Sequence, residues 1–524
     1  MFFKRINKLT RRQPMLNLGY VLEETAKNYP NVTAVILDQI KISYEQLNKY
    51  SNRVANILKQ KGLKRGDKVA MMIPNLPYFP MIYYGILKAG GVVVPVNVLY
   101  QKMEIEHYIK DSESVAFIVY HGCAGEAVKA YQSVDTCKHL IIIPPMDNMG
   151  DLEVGENFNK LIMESSDEFD VVQTMPDDTA VILYTSGTTG APKGAELTHF
   201  NMFFNSYYAS HEIVRVKPGL VALVVLPLFH SFGQTCVMNA CIMRGGTLSM
   251  LPRFETQKAM EVIARDRINV LAMVPTMYAF ILNAPNWKDY DFSCVTLAVS
   301  GGAALPADIH QRFQERYGIT ILEGYGLSET SPVASFTVLG EEVRVGSIGK
   351  PIWGVDMRIM RDDGTFAGPD EIGEIVIRGH NVMKGYYKRT EATLEVMVND
   401  WFHTGDMGRT DKDGYFYIVD RKKELIIRGG MNIYPREIEE VLYTHPKVLE
   451  AAVVGIPDKL RGEEVRVYVS PKEGEEIHPE EIMQFLQEKI AKFKWPKDVV
   501  VLPQLPKGPT GKILKRQLRT MPIV

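Results

Sequence analysis

Hydrophobic positions along this chain fall into two alternating textures. Short, unbroken apolar runs recur as "TAVILDQ", "VAFIVY", "HLIIIP", "AVILYT", "ALVVLP", "NVLAMVP" and "TLAVSGG". Their length and β-branched content are those of buried strands. Between them lie stretches with helical spacing. In "YEQLNKYSNRVANILKQKG", Leu47, Val54 and Leu58 share one face and Gly62 closes the helix. The alternation predicts an α/β fold of layered sheets and helices with largely parallel strand pairing.

Residues 69–87, "VAMMIPNLPYFPMIYYGIL", carry no charge and are long enough to span a membrane as a helix. Pro74, Pro77 and Pro80 argue against that, because interior prolines break the helical ladder. A buried strand, a turn at "PNLP" and a core helix with Pro80 in its first turn are expected instead. No integral membrane segment is therefore expected.

After "GEIVIRG" the texture changes to "DGYFYIVDRKKELIIRGGMNIYP", strands and turns dense in charge. A short α+β pattern follows: helix "PREIEEVLYTH", strands "EAAVVGI" and "EVRVYVS", then helix "PEEIMQFLQEKIAKF". The expected division is a large N-terminal domain of several subdomains over residues 1–420 and a small C-terminal domain over residues 421–524.

Composition narrows the function. The 524 residues are 46% hydrophobic and 23% charged, with a net charge of −2, which gives no reason to expect a nucleic-acid partner. The excess of basic residues after Arg421 suits a polyanionic ligand. Five scattered cysteines make neither a disulfide framework nor a zinc site, so a reducing cytoplasm is expected. The basic start "MFFKRINKLTRRQP" lacks the apolar core of a secretory signal. It reads as a solvated terminus, with a peripheral contact to an anionic membrane as the alternative.

The first definite chemistry is "YTSGTTGAPKG", residues 184–194. Hydroxyls, glycines and a lysine at this density form a cradle for polyphosphate. A Walker loop would need Gly-Lys-Ser/Thr opening a helix. Here Pro192 precedes Lys193, Gly194 follows it, and "GAELTH" does not begin as a helix.

This stretch resembles the signature loop of the adenylate-forming enzymes: acyl-CoA synthetases, nonribosomal-peptide adenylation domains and luciferase. The resemblance extends over nearly the whole chain with the motifs in family order. It implies that Thr185, Ser186, Gly187, Thr188, Thr189, Gly190 and Lys193 hold ATP. "EGYGLSETSP" resembles the second nucleotide motif, so Glu323, Gly324, Tyr325 and Ser328 are implied to bind ATP or AMP. Tyr325 would stack on the base, Ser328 would reach the α-phosphate, and Glu329 would hold Mg²⁺ together with Thr185. Hard oxygen donors shared with substrate phosphates suit that cation. In "SGGAAL", Gly301, Gly302 and Ala303 would lie against adenine. Asp406 of "WFHTGDMG" would accept both ribose hydroxyls, and Arg421 would assist it. His230 in "LPLFHSFG" would gate the acyl pocket, and Lys512 in "LPKGPTGKILKRQLR" would be the adenylation lysine.

The resemblance implies a two-step ligase using ATP, Mg²⁺ and CoA, with Lys512, Glu329 and His230 as its catalytic set. A mobile C-terminal lid would turn between steps about Lys423, bringing Gly429 and Gly430 to the thiol's path. A medium- or long-chain fatty acid is the expected substrate; the alternatives are an aromatic acid of the coumarate or benzoate type, or transfer to a carrier protein. Related fatty-acid enzymes imply a homodimer.

Overall fold

The computed structural model describes residues 15–185, 192–338, 340–508 and 510–521. The first long helix runs Tyr44–Gln60 and begins in a capping box. The Ser43 hydroxyl accepts from the Gln46 N–H, and the Gln46 side chain accepts from the Ser43 N–H. Leu47, Val54 and Leu58 are buried, and Gly62 turns the chain at φ +83°.

The uncharged stretch resolves into strand Lys68–Met72, a turn, and helix Tyr78–Lys88 with Pro80 in its first turn. No helix among the described residues is long and apolar enough to cross a membrane. That helix ends in a feature its pattern does not announce. Lys88 is fully buried, paired with Glu23 at 3.0 Å and donating to Asn48 and Asn52. A buried ammonium is tolerated because its protons all find partners.

Among the described residues the strands form four sheets. One has nine strands, and its core of Ile321–Gly326, Leu297–Ser300, Val270–Met273, Val221–Val224, Thr247–Met250 and Thr33–Leu37 is parallel throughout. Antiparallel strands flank it on both sides: Val333–Phe336 and then Lys350–Pro351 on one, Ile40–Ser43 on the other. A second sheet of eight strands centres on Val92–Pro95 and Lys68–Met72, with Thr179–Thr185 beside them. Its strand Thr179–Thr185 returns antiparallel as Lys193–Thr198.

A third, antiparallel sheet holds Trp401–Thr410 and Phe416–Arg421. The last sheet starts at Ile426–Arg428 and pairs the long strands Val448–Asp458 and Gly462–Pro471. It has its own core, including Ile438, Val453, Val467 and Leu486. Helix Pro479–Lys489 is shorter than its sequence pattern, which runs on to Phe493. Beyond it, Arg428 donates to the carbonyls of Phe493 and Trp495, at 3.0 and 2.9 Å.

Helices Tyr44–Gln60 and Tyr78–Lys88 meet so closely at Gly85 that a Cβ there would lie 2.5 Å from Val54 Cβ and 2.9 Å from the Ser51 carbonyl oxygen. Alanine would gain about 1 kcal/mol in helix propensity. Overpacking costs about 1–3 kcal/mol, and no rotamer change relieves contact with backbone. Gly85→Ala should therefore lower the thermal unfolding midpoint; a midpoint at or above wild type would show that the two helices part freely.

Candidate active site

The carboxyl ends of the parallel strands Val221–Val224, Val270–Met273, Leu297–Ser300 and Ile321–Gly326 open on a cavity of about 1070 Å³. Ligands of open α/β sheets bind at such strand ends, where loops diverge. The second sheet contributes from the opposite side. Its strand Thr179–Thr185 delivers Thr185 to the cavity, and the antiparallel return places Lys193 directly opposite Thr185. A strand rather than a helix follows Lys193, as a non-Walker loop requires. Ser186, Gly187, Thr188, Thr189 and Gly190 lie outside the described residues.

Thr185 and Glu329 meet: the Thr185 hydroxyl donates to Glu329 Oε1 at 3.1 Å. Glu329 is itself buried and lines the cavity. No group of three or more His, Cys, Asp or Glu residues among those described could hold a metal alone. One carboxylate and one hydroxyl fit a hard cation that takes its other ligands from substrate phosphates and water.

Asp406 is nearly sealed from solvent at 3% exposure. Its two oxygens are engaged separately, Oδ2 by the Tyr325 hydroxyl at 2.6 Å and Oδ1 by Arg421 Nε at 3.0 Å. Burial, and then the Asp406 charge, push the Tyr325 phenol far above its usual range, so it is a fixed donor. Arg421 pairs with Asp406 because strands Trp401–Thr410 and Phe416–Arg421 are in register at these two residues.

Gly301, Gly302, Gly324, Tyr325 and Ser328 all line the cavity, and Ser328 lies 3.5 Å from the Ser231 hydroxyl. Ala303 and Glu323 are not among the lining residues. The Glu323 carboxylate turns away to accept from the Leu305 N–H at 2.7 Å, and burial raises its pKa to about 7. Its place is behind the loop, holding the turn that carries Gly301 and Gly302.

Lys512 reaches the same cavity from the far end of the chain. Gly302, at φ +81°, makes room for it: a Cβ there would stand 3.3 Å from Lys512 Cε. The Thr276 hydroxyl fastens this segment by donating to the Gly511 carbonyl at 3.2 Å. Desolvation, and then the neighbouring Arg421, lower the Lys512 pKa to about 8. Desolvation and the Lys512 charge likewise depress His230 to about 3, so its ring is neutral at working pH. His230 lines the cavity where the polar end gives way to an apolar one.

The apolar end runs between strands Val221–Val224 and Val270–Met273 and two π-helical segments, Ala209–Ile213 and Phe232–Asn239. Ile213, Val214, Cys236, Val237 and Cys241 line it, and burial raises both thiols to about 12. Lys423 lines the rim. Gly429 and Gly430 stand elsewhere, at the exposed tip of the hairpin joining Ile426–Arg428 to Met431–Ile433. Sequence reasoning passed over Tyr386, Ser231 and Phe232, which also line the cavity. Single polar or aromatic residues outside a glycine-rich motif carry no periodic signal to mark them.

Thr185, Lys193, Glu329, Gly301, Gly302, Arg421 and Lys512 thus line one cavity, while Asp406 is not among its lining residues and is held by Arg421 and Tyr325, which are. The chain belongs to the AMP-binding enzyme family, which matches residues 22–387, with its C-terminal domain matching residues 437–512. It is 35% identical to the long-chain-fatty-acid–CoA ligase of Bacillus subtilis, over 98% of this chain and 96% of that one. Its fold superposes with a TM-score of 0.91 on the anthranilate CoA ligase AuaEII in complex with anthranoyl-AMP, at 25% identity and 97% of both chains. ATP-bound MatB from Rhodopseudomonas palustris gives a TM-score of 0.88 at 32% identity, over 96% of this chain and 98% of that one.

The depressed Lys512 ammonium has a pH signature. It is charged below its pKa and loses that charge as pH rises through about 8. The kcat/KM for ATP, which reports groups of the free enzyme, should fall above that pH. Lys512→Arg should flatten the alkaline limb, because guanidinium stays protonated. A limb that persists in this variant would assign the titration to another group.

Proposed function

We propose that this protein is an ATP-dependent fatty acid–CoA ligase. AMP-forming acid–CoA ligase chemistry rests on its family and on similarity along the full chain. The observation that carries the choice of a fatty acid is the apolar arm of the cavity. Ile213, Val214, Cys236, Val237 and Cys241 line it, between π-helical segments and uncharged strands.

In the first step the fatty carboxylate attacks the α-phosphorus of ATP, and the bond to the bridging oxygen breaks as pyrophosphate leaves. Negative charge spreads over the α-phosphate and the leaving group. Lys512, Lys193 and Arg421 surround that volume, and fixed cations act most strongly where charge develops. Asp406 receives the ribose hydroxyls while Tyr325 and Arg421 hold its orientation. Thr185 and Glu329 would hold Mg²⁺, which supplies Lewis-acid neutralisation of the phosphates when bound. Neutral His230 closes the junction between the polar and apolar ends and carries no proton away. In the second step the thiol sulfur of CoA attacks the acyl carbon, the acyl–phosphate C–O bond breaks, AMP leaves, and the thiol proton passes to solvent.

The proposal includes a large domain over residues 1–420 and a lid over residues 421–524 hinged at Lys423. The support is positional: one sheet ends at Arg421 and the next begins at Ile426. Lys512 in the cavity and the Gly429–Gly430 turn outside it support reading this arrangement as the adenylating one. Rotation about Lys423 would carry Lys512 out and bring the glycine turn to the thiol's path. A cytoplasmic setting accords with five free cysteines. A homodimer, and a peripheral membrane contact through residues 1–14, which lie outside the described residues, belong to the same proposal.

Two measurements test it. Each buried methylene contributes about 0.8 kcal/mol, roughly fourfold in kcat/KM. Efficiency should climb with acid chain length until the arm is filled and then fall; benzoate, anthranilate or ferulate outperforming every fatty acid from C6 to C18 would replace the fatty acid with an aromatic one. Separately, Lys512→Ala should lose adenylation on the order of 10²–10³-fold, judged from removal of other preorganised charge-stabilising donors. Supplied acyl-AMP and CoA should still give thioester at near wild-type speed. Equal loss in both half-reactions would sink the alternating lid.

A further inference from the structure

Tyr386 stands between the two charged ends of the phosphate site. Its hydroxyl donates to Glu329 Oε1 at 2.9 Å, the same oxygen that accepts from the Thr185 hydroxyl at 3.1 Å. No described residue donates to Oε2. One carboxylate oxygen is therefore occupied twice by protein hydroxyls, which leaves the other open to a cation. The face of the same tyrosine ring carries the Lys193 ammonium, 5.4 Å from the ring centroid. Lys193, Glu329 and Tyr386 all line the cavity, yet Lys193 and Glu329 form no ion pair in the described structure.

The ring's position is set by backbone on both sides. Strand Gly385–Tyr386 pairs with Lys193–Thr198, with Tyr386 opposite Ala195. The Tyr387 N–H donates to the Gly194 carbonyl at 2.7 Å, and the Met383 N–H donates to the Glu329 carbonyl at 2.8 Å. The Tyr386 N–H is held in turn by the Thr393 hydroxyl at 2.9 Å. The segment that carries Tyr386 is thus tied to the strand bearing Lys193 and to Glu329 itself.

The geometry points to Tyr386 as a positioning residue for magnesium-bound ATP. Its hydroxyl turns Glu329 so that Oε2 is free for the metal, and its ring holds Lys193 off that carboxylate so that the ammonium meets phosphate instead. This role rests on the reading of the cavity as an ATP site, and it is independent of which acid the enzyme activates.

Equilibrium binding of ATP, measured by calorimetry without acid or CoA, tests it in wild type, Tyr386→Phe and Tyr386→Leu, each with Mg²⁺ and with EDTA. Phenylalanine keeps the ring and loses the hydroxyl. Affinity in EDTA should stay within about twofold of wild type, while the gain from Mg²⁺ should shrink about tenfold, the scale of a hydrogen bond to a charged group. Leucine removes the ring as well, so Lys193 can fall onto Glu329, and affinity in EDTA should also drop about tenfold. A Phe variant with an intact Mg²⁺ gain, or with equal losses in both conditions, would overturn the metal-side role. A Leu variant that binds ATP in EDTA like wild type would overturn the role toward Lys193. Wild-type protein that binds no ATP in either condition would overturn the nucleotide reading itself, a result distinct from any difference between the variants.

Discussion

Everything at this site depends on keeping cations available in a recessed cavity. Lys193, Arg421 and Lys512 arrive from three different parts of the chain and face one volume. Taking charges partly out of water is costly, and like charges raise that cost. The depressed Lys512 pKa is the visible trace of both effects. The protein meets the cost with local ties: Arg421 on Asp406, Lys193 over Tyr386, and the Lys512 segment anchored through Gly511 to Thr276. A polyanion entering the cavity relieves all three at once.

The scaffold makes this arrangement rigid on one side and adjustable on the other. Parallel strands buried on both faces end in loops that need little side-chain freedom, so Gly301, Gly302 and Gly324 are held by the sheet beneath them. Lys512, beyond the last strand of the C-terminal sheet, reaches the cavity on a segment held by the hydrogen bond of Thr276 to Gly511, and the chain crosses from one sheet to the next between Arg421 and Ile426. Charge and apolar surface are also kept apart. Polar groups gather at the strand ends, and the apolar arm retreats between the large sheet and the π-helical segments, where a charged group would find no partner.

Much of this was legible in the sequence, for identifiable reasons. Strands buried on both faces leave unbroken runs such as "NVLAMVP", and helix Tyr44–Gln60 shows its buried stripe and the glycine that closes it. Many residues that line the polar end of the cavity were readable because glycine-rich turns fix both residue type and spacing. What escaped depended on partners far away in the chain. Lys88 looks like a helix-terminal surface lysine until Glu23, Asn48 and Asn52 close around it. Past the early end of helix Pro479–Lys489 the chain is held by Arg428, more than sixty residues upstream. Glu323 sits inside a nucleotide motif, yet its carboxylate serves the Leu305 backbone. Tyr386 acquires its meaning only when strand pairing sets it beside Lys193 and Glu329.

The π-helical walls of the apolar arm have an evolutionary consequence. A π turn closes its hydrogen bonds one residue later than an α turn, so it amounts to an α-helix with one residue inserted. Segment Ala209–Ile213 continues helix His199–Tyr208, and Phe232–Asn239 runs directly into helix Ala240–Met243. Loss of one residue from either segment would let the ordinary ladder re-form and would rotate the lining side chains, without disturbing the sheet. In most buried helices a deletion scrambles the packing. Here the wall has an α-helical register one residue shorter, so a change in the number of residues, and not only in their identities, is a route by which its lining would be re-aimed.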